Sequence, residues 1–217
     1  MAHPVVVFLL AVALLTSGCA ERSFCSTDVR VLEYHFDKCL ESVEEFTRRL
    51  YAKNPKYEKD TAKRLQKLQS IFVGDQKGAQ FSDLGSDELL TAAFAADPLD
   101  PDRVYLLGLG LAKSIREAYG LGDGKMLVLG LQVELERLER LHHNMSQVNW
   151  RLKTYRDGDG DLLFLTNAVG DDGYINMGYE VLMTTILTRI QDDIYLRGGL
   201  PGKYLFDMST LFMSIIL

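Results

Sequence analysis

The stretch DGDGD sets Asp157, Asp159 and Asp161 at alternate positions of a glycine-containing turn. That is the spacing of the first, third and fifth ligands of a calcium-binding helix–loop–helix, where short acidic side chains surround a hard cation with oxygen. The sixth position, which needs Gly for the sharp turn, is Leu162, and the twelfth, which needs a bidentate Glu, is Ala168. Asp171, Asp172 or Glu180 would have to complete the shell from across a hairpin. The three aspartates are the candidate calcium ligands, but the broken pattern predicts a polar turn in which they act as caps and turn formers. No cofactor is expected.

LHHNM offers softer donors. His142 and Met145 share a helix face at spacing three, a pairing suited to copper, whereas His143 points about 100° away. With no further His nearby in sequence, the spacing predicts a core position for His142 and a solvent-facing one for His143. LLGLGLAK and YGLGDGK loosely match phosphate loops, yet neither follows a strand. Gly108 and Gly110 fall inside a helical pattern, where close helix packing is the better account. G-x-S-x-G, H-E-x-x-H and C-x-x-C are all absent from the sequence, and a Ser-His-Asp site built from distant residues leaves no local signature.

The chemistry nearest the N-terminus is that of a cysteine. From Val5 to Leu15 the chain reads VVVFLLAVALL, followed by Thr16-Ser17-Gly18-Cys19. A bilayer-spanning helix needs roughly 20 apolar residues, so this run is short for a span and the right length for the core of a secretory signal ending in small residues. With its terminal cysteine, the segment resembles the lipobox of bacterial lipoproteins. Thr16 stands where that class usually has leucine, and MAHP carries no Lys or Arg. The resemblance covers about the first twenty residues. It implies that residues 1–18 are a cleaved signal peptide, that Cys19 is lipidated, and that 19–217 form the mature chain. Ala20, where Asp would retain the protein at the inner membrane, implies the outer membrane, facing the periplasm. An uncleaved apolar anchor or a plain secretory signal are the alternatives.

Removing residues 1–18 from the 217 leaves 199, enough for one sizeable core, and a single helical domain is expected. The 24 Lys and Arg against 30 Asp and Glu give a net charge of −6. With no basic run, that balance argues against nucleic acid as a partner and against attraction to anionic lipid. Covalent lipid would hold the protein to its membrane. If Cys19 carries the lipid, Cys25 and Cys39 remain as a possible disulfide in an oxidising compartment. Its loop of about 15 residues would be worth about 3 kcal/mol. On one straight helix the two would stand about 20 Å apart, so the bridge requires residues 20–27 to fold back. Two buried thiols are the other reading.

The elements that would position these groups are mostly helices. Val31, Phe36, Leu40, Val43, Phe46 and Leu50 predict a helix over 27–54. Pro55 is placed to begin a second, to about Phe72, with Leu65, Leu68 and Ile71 on its apolar side. Ser86-Asp87-Glu88 opens a short helix through Ala95, and Asp100 as cap, Pro101 as first helical residue and Asp102 in the first turn open one to about Tyr119, ended by Gly120, Gly122 and Gly124. The longest pattern runs from Lys125 to Arg156, with a heptad seam at Val128, Leu131, Leu135, Leu138, His142, Met145, Asn149 and Leu152, read as the central helix of an antiparallel bundle, with a two-chain coiled coil as the alternative. Strand-like residues at 162–166 and 174–177 predict a small β-hairpin. A helix over 179–196 follows, and the chain ends in an apolar segment with Phe206, Leu211, Phe212, Ile215 and Ile216 as a candidate docking helix. The expected fold is mainly α, a bundle of about six to seven helices with one long central helix and a hairpin near 162–177.

On this reading the protein is a membrane-anchored envelope lipoprotein, non-enzymatic, acting as a docking or accessory subunit for a protein partner. The alternative is a carrier or sensor for a small apolar ligand such as a lipid, held between the seam helix and the last two. An enzyme is the third possibility.

Overall fold

A computed structural model describes residues 27–73, 80–81, 83–121, 133–167 and 177–198. The described part is mainly α, with six helices: α1 Thr27–Lys53, α2 Thr61–Phe72, α3 Ser86–Phe94, α4 Arg103–Tyr119, α5 Leu135–Thr154 and α6 Gly178–Leu196. None of them is long and apolar enough to cross a membrane.

The helix at the centre is not the expected one. The seam helix begins at Leu135 among the described residues, and α1, at 27 residues, is longer than its 20. The enclosed element is α4, which touches α1, α2, α3 and α5 and buries both its glycines along with its apolar side chains. A Cβ on Gly108 would lie 2.6 Å from Thr47 Cγ2 on α1, and one on Gly110 would lie 2.9 Å from Leu90 Cδ2 on α3. Bare backbone at these two positions is what lets three helices close on one another. This accounts for the Gly-rich motif as packing.

In α1 the buried stripe is Val29, Leu32, Phe36, Cys39, Val43, Phe46 and Leu50, alternating three and four residues apart, with Phe36 only partly covered. Val31 and Leu40, expected on this stripe, flank it half-buried. In α5 the covered face is Leu138, Leu141, His142, Met145, Val148 and Leu152, an ordinary helical stripe wider than a two-residue coiled-coil seam.

Side-chain caps set two helix starts. Asp60 accepts the amides of Ala62 and Lys63, so α2 starts at Thr61, and Pro55 sits in the turn before it. Asp102, not Asp100, caps α4 by accepting the Tyr105 amide at 3.0 Å, while Asp100 accepts the Asp102 amide at 2.7 Å. Leu65 of α2 is exposed, and the helix is held by Ile71 and by Lys67, which reaches Asp102 at 2.8 Å.

The expected hairpin near 162–177 is not found among the described residues. Leu162 makes a single antiparallel bridge with Arg156, and residues 168–176 lie outside the described set. The backbone of 163–165 is occupied by other partners. Asn54 donates to Leu165 O at 2.9 Å and accepts from Leu165 N at 2.7 Å, Tyr57 donates to Leu163 O, and Leu163 N donates to Tyr155 O at 2.9 Å. Strand-like composition here marks chain docked on the end of α1, with Leu163 and Phe164 buried, Leu165 exposed, and the Phe164 ring tilted against Tyr57 and edge-on to Phe94.

The helices share two ends. At one, α1 starts, α4 and α6 finish, and His35, Tyr119 and Asp193 meet. At the other, α1 finishes, α6 starts with Tyr179 against Phe46, and Asp102 of α4 accepts from Tyr51 of α1 at 2.9 Å.

Candidate functional site

Asp193 lies in α6 between Ile190 and Ile194 and has no exposed surface. A carboxylate is tolerated there only if its oxygens find donors. Tyr119, at the end of α4, donates its hydroxyl to Oδ2 at 2.5 Å, and His35 of α1 places Nδ1 2.6 Å from Oδ1. Burial pushes the Asp193 carboxyl above its usual value against the pull of these two partners. Cys39 stands one turn after His35, fully covered, and burial pushes its thiol up to about 12 although Arg189 acts the other way. Arg189 itself donates to Lys38 O and Ser42 Oγ, tying α6 to α1.

An acid oriented on an imidazole beside a thiol is the skeleton of a cysteine nucleophile. Here the thiol is sealed and kept protonated, whereas a reactive cysteine needs a lowered pKa and access. The cluster joins α1, α4 and α6 through one buried carboxylate.

The open cleft lies elsewhere, between the start of α3, the end of α4 and α5. It encloses about 300 Å³ and is lined by Ser86, Asp87, Ser114, Glu117, Arg137, Arg140, Leu141 and Asn144 among others. Ser86 donates to Glu117 at 2.5 Å, and Asn144 donates to Asp87 at 2.7 Å. A second hollow of about 130 Å³ continues past Asp87 and Asn144 to Thr91, Gln147 and Arg151. The lining carries both charge signs and is mostly polar, which suits a hydrated polar segment better than an apolar molecule.

The residues singled out in sequence fall apart in space. Asp157 is used locally: its Oδ1 accepts the amides of Asp159 and Asp161, and its Oδ2 accepts from Lys56 at 3.3 Å. Burial acts to raise its carboxyl, but Lys56 and the two amides outweigh it and hold it below the usual range. Among the described residues no three His, Cys, Asp or Glu side chains are grouped to hold a metal ion, Asp157, Asp159 and Asp161 included. His142 and Met145 are core residues of α5, and His143 is exposed beside Gln147. With α1 formed from Thr27, Cys39 stands about 18 Å along the helix. Cys25, two residues before Thr27, reaches it only if the first turns unwind. Cys19, Cys25, Phe206, Leu211, Phe212, Ile215 and Ile216 lie outside the described residues. The Asp193 cluster was missed because its members are 74 and 158 residues apart. The signal that could have found it is an acid inside an apolar helical stripe.

Compared with known proteins, the chain matches no protein family, no curated protein and no solved structure.

Proposed function

We propose that this chain is a lipid-anchored protein of a bacterial envelope, processed at Cys19, that acts as a docking or accessory subunit rather than as an enzyme. The observation that carries the reading is the short apolar run ending in Thr16-Ser17-Gly18-Cys19, placed eight residues before α1 begins. Eight residues span at most about 28 Å, so a lipid on Cys19 holds the helical body close to its membrane. The proposed site is the outer membrane, facing the periplasm. The apolar C-terminal segment, with Phe206, Leu211, Phe212, Ile215 and Ile216, is the proposed contact with a protein partner. The mixed-charge cleft over α3 and α5 is a second surface that fits a polar protein segment. Its polar lining favours docking over carriage of a small apolar ligand.

Intact mass spectrometry of the chain extracted from membranes tests the anchor. A chain that begins at Cys19 and carries acyl groups is expected; an intact Met1, or an unmodified N-terminus elsewhere, overturns it. Docking is tested by photo-crosslinkers at Phe212 and Asn144. A discrete protein adduct at either, missing when the crosslinker replaces exposed Glu136, supports the reading. Adducts equal at all three positions, or at none, refute it.

A further inference from the structure

Both chain ends leave the described body at the same end. The His35–Asp193 contact at 2.6 Å fixes the start of α1 beside the finish of α6. On one side, eight residues lead back from Thr27 to Cys19; on the other, six lead from Gly198 to Tyr204, the start of YLFDMSTLFMSIIL. These tethers reach at most about 28 Å and 20 Å. Large apolar side chains are exposed at both ends, Tyr34 at 56% and Tyr195 and Leu196 at 62% each here, and Leu99, Met177 and Val181 at the other, so the tethers and not the exposure choose between the ends. Tyrosines that bare a ring and a hydroxyl are the side chains that rest at a membrane–water interface.

We infer that this end of the bundle, carrying Tyr34, Tyr195 and Leu196, rests on the surface of the bilayer, with the opposite end held away from it. The inference depends on lipidation at Cys19. The occupant is the lipid interface because the proposed acyl anchor is tethered here by a link of at most about 28 Å, which leaves little room for a large domain between this end and the membrane. The opposite end is marked by Trp150, half-exposed and 5.9 Å from the Tyr155 ring. From the His35 level to the Asn54 level of α1 is about 28 Å, so the two ends differ in depth by nearly a bilayer core.

Trp150 is the single Trp of the chain, so fluorescence separates the ends. The full chain, purified from membranes with its lipid, is reconstituted into vesicles of phosphatidylethanolamine and phosphatidylglycerol, with plain or brominated acyl chains. Parent, Tyr195→Trp and Tyr34→Trp are compared, with flotation and intact mass read on each sample. The expected result is that all float, that brominated lipid removes about half of the emission added by the new indoles, and that Trp150 is unchanged. Floating, lipidated protein in which neither new indole is quenched, or in which Trp150 is quenched equally, overturns the orientation and leaves the lipoprotein reading standing. New indoles that are unquenched but blue-shifted assign this end to a protein partner and overturn it too. A chain without lipid on Cys19 overturns both.

Discussion

Gly108→Ala tests the reasoning about how the bundle closes. In an exposed helix this change stabilises by about 1 kcal/mol, because Ala loses less backbone freedom than Gly. Here the new Cβ would lie 2.6 Å from Thr47 Cγ2 and 2.9 Å from Thr47 Oγ1. Thr47 cannot easily turn aside, since it is buried and its hydroxyl donates to Val43 O at 2.7 Å. Separating α1 from α4, or breaking that bond, should cost about 2–4 kcal/mol, in the range of core overpacking plus a lost hydrogen bond. The net expectation is a loss of about 1–3 kcal/mol, which lowers Tm by roughly 2–12 °C for a domain of this size. Thermal melts followed by circular dichroism, on the mature chain with Cys19→Ser to remove the lipid, measure it. The Thr47→Ala background supplies the control: it removes both clashing atoms, so Gly108→Ala should cost at least about 1 kcal/mol less there. A rise in Tm for Gly108→Ala in the parent background, or an equal loss in both, would refute the close-contact account.

The other predictions concern buried polar groups. Asp193→Ala should destabilise by about 3 kcal/mol, since it strands Tyr119 and His35, and Asp193→Asn by less, since it keeps an acceptor; urea titration of the pair orders them. Burial holds the Cys39 thiol near 12, against an ordinary 9.0, and the Tyr57 and Tyr179 hydroxyls near 12, against 10.0. The folded chain keeps these protons where the unfolded chain sheds them. The contribution of these three groups is therefore constant well below pH 9 and destabilises the fold as pH rises from there toward 12, which melts across an alkaline series read directly. Cys39 should resist alkylation at pH 8 until urea unfolds the bundle, and peptide mapping without reduction should find it as a thiol; a Cys25–Cys39 peptide would mean that α1 starts later than Thr27. Calcium at millimolar levels should leave Tm unchanged, and a rise abolished by Asp159→Ala would show that the acidic turn opens to take the ion.

What could be read from the chain alone was local in origin. Apolar spacing in α1, α3, α4 and α6 predicts helices close to those found, because each periodic stripe depends only on its own neighbours, whereas the pattern expected from Lys125 gives a helix only from Leu135, with Val133 and Glu134 outside it. Gly120, at φ 64°, ends α4 as its position after Tyr119 required. The packing reading of Gly108 and Gly110 held for the same reason: two glycines inside a helical pattern need a close neighbour. Tertiary structure decided the rest. The local signal makes Asp100 the cap with Pro101 opening the helix, but the cap of α4 is Asp102, where Tyr51 and Lys67 also meet its carboxylate. The strand-like residues near 163–165 form no ladder because Asn54 and Tyr57, more than 100 residues away, take their backbone groups. α4 became the central helix because its two glycines admit α1 and α3 at once. Asp193 is buried because Tyr119 and His35 arrive from other helices to satisfy it. A sequence shows which groups need partners; only the packed fold shows which partners they get, since the energy of a buried hydrogen bond or close contact depends on both sides being brought together.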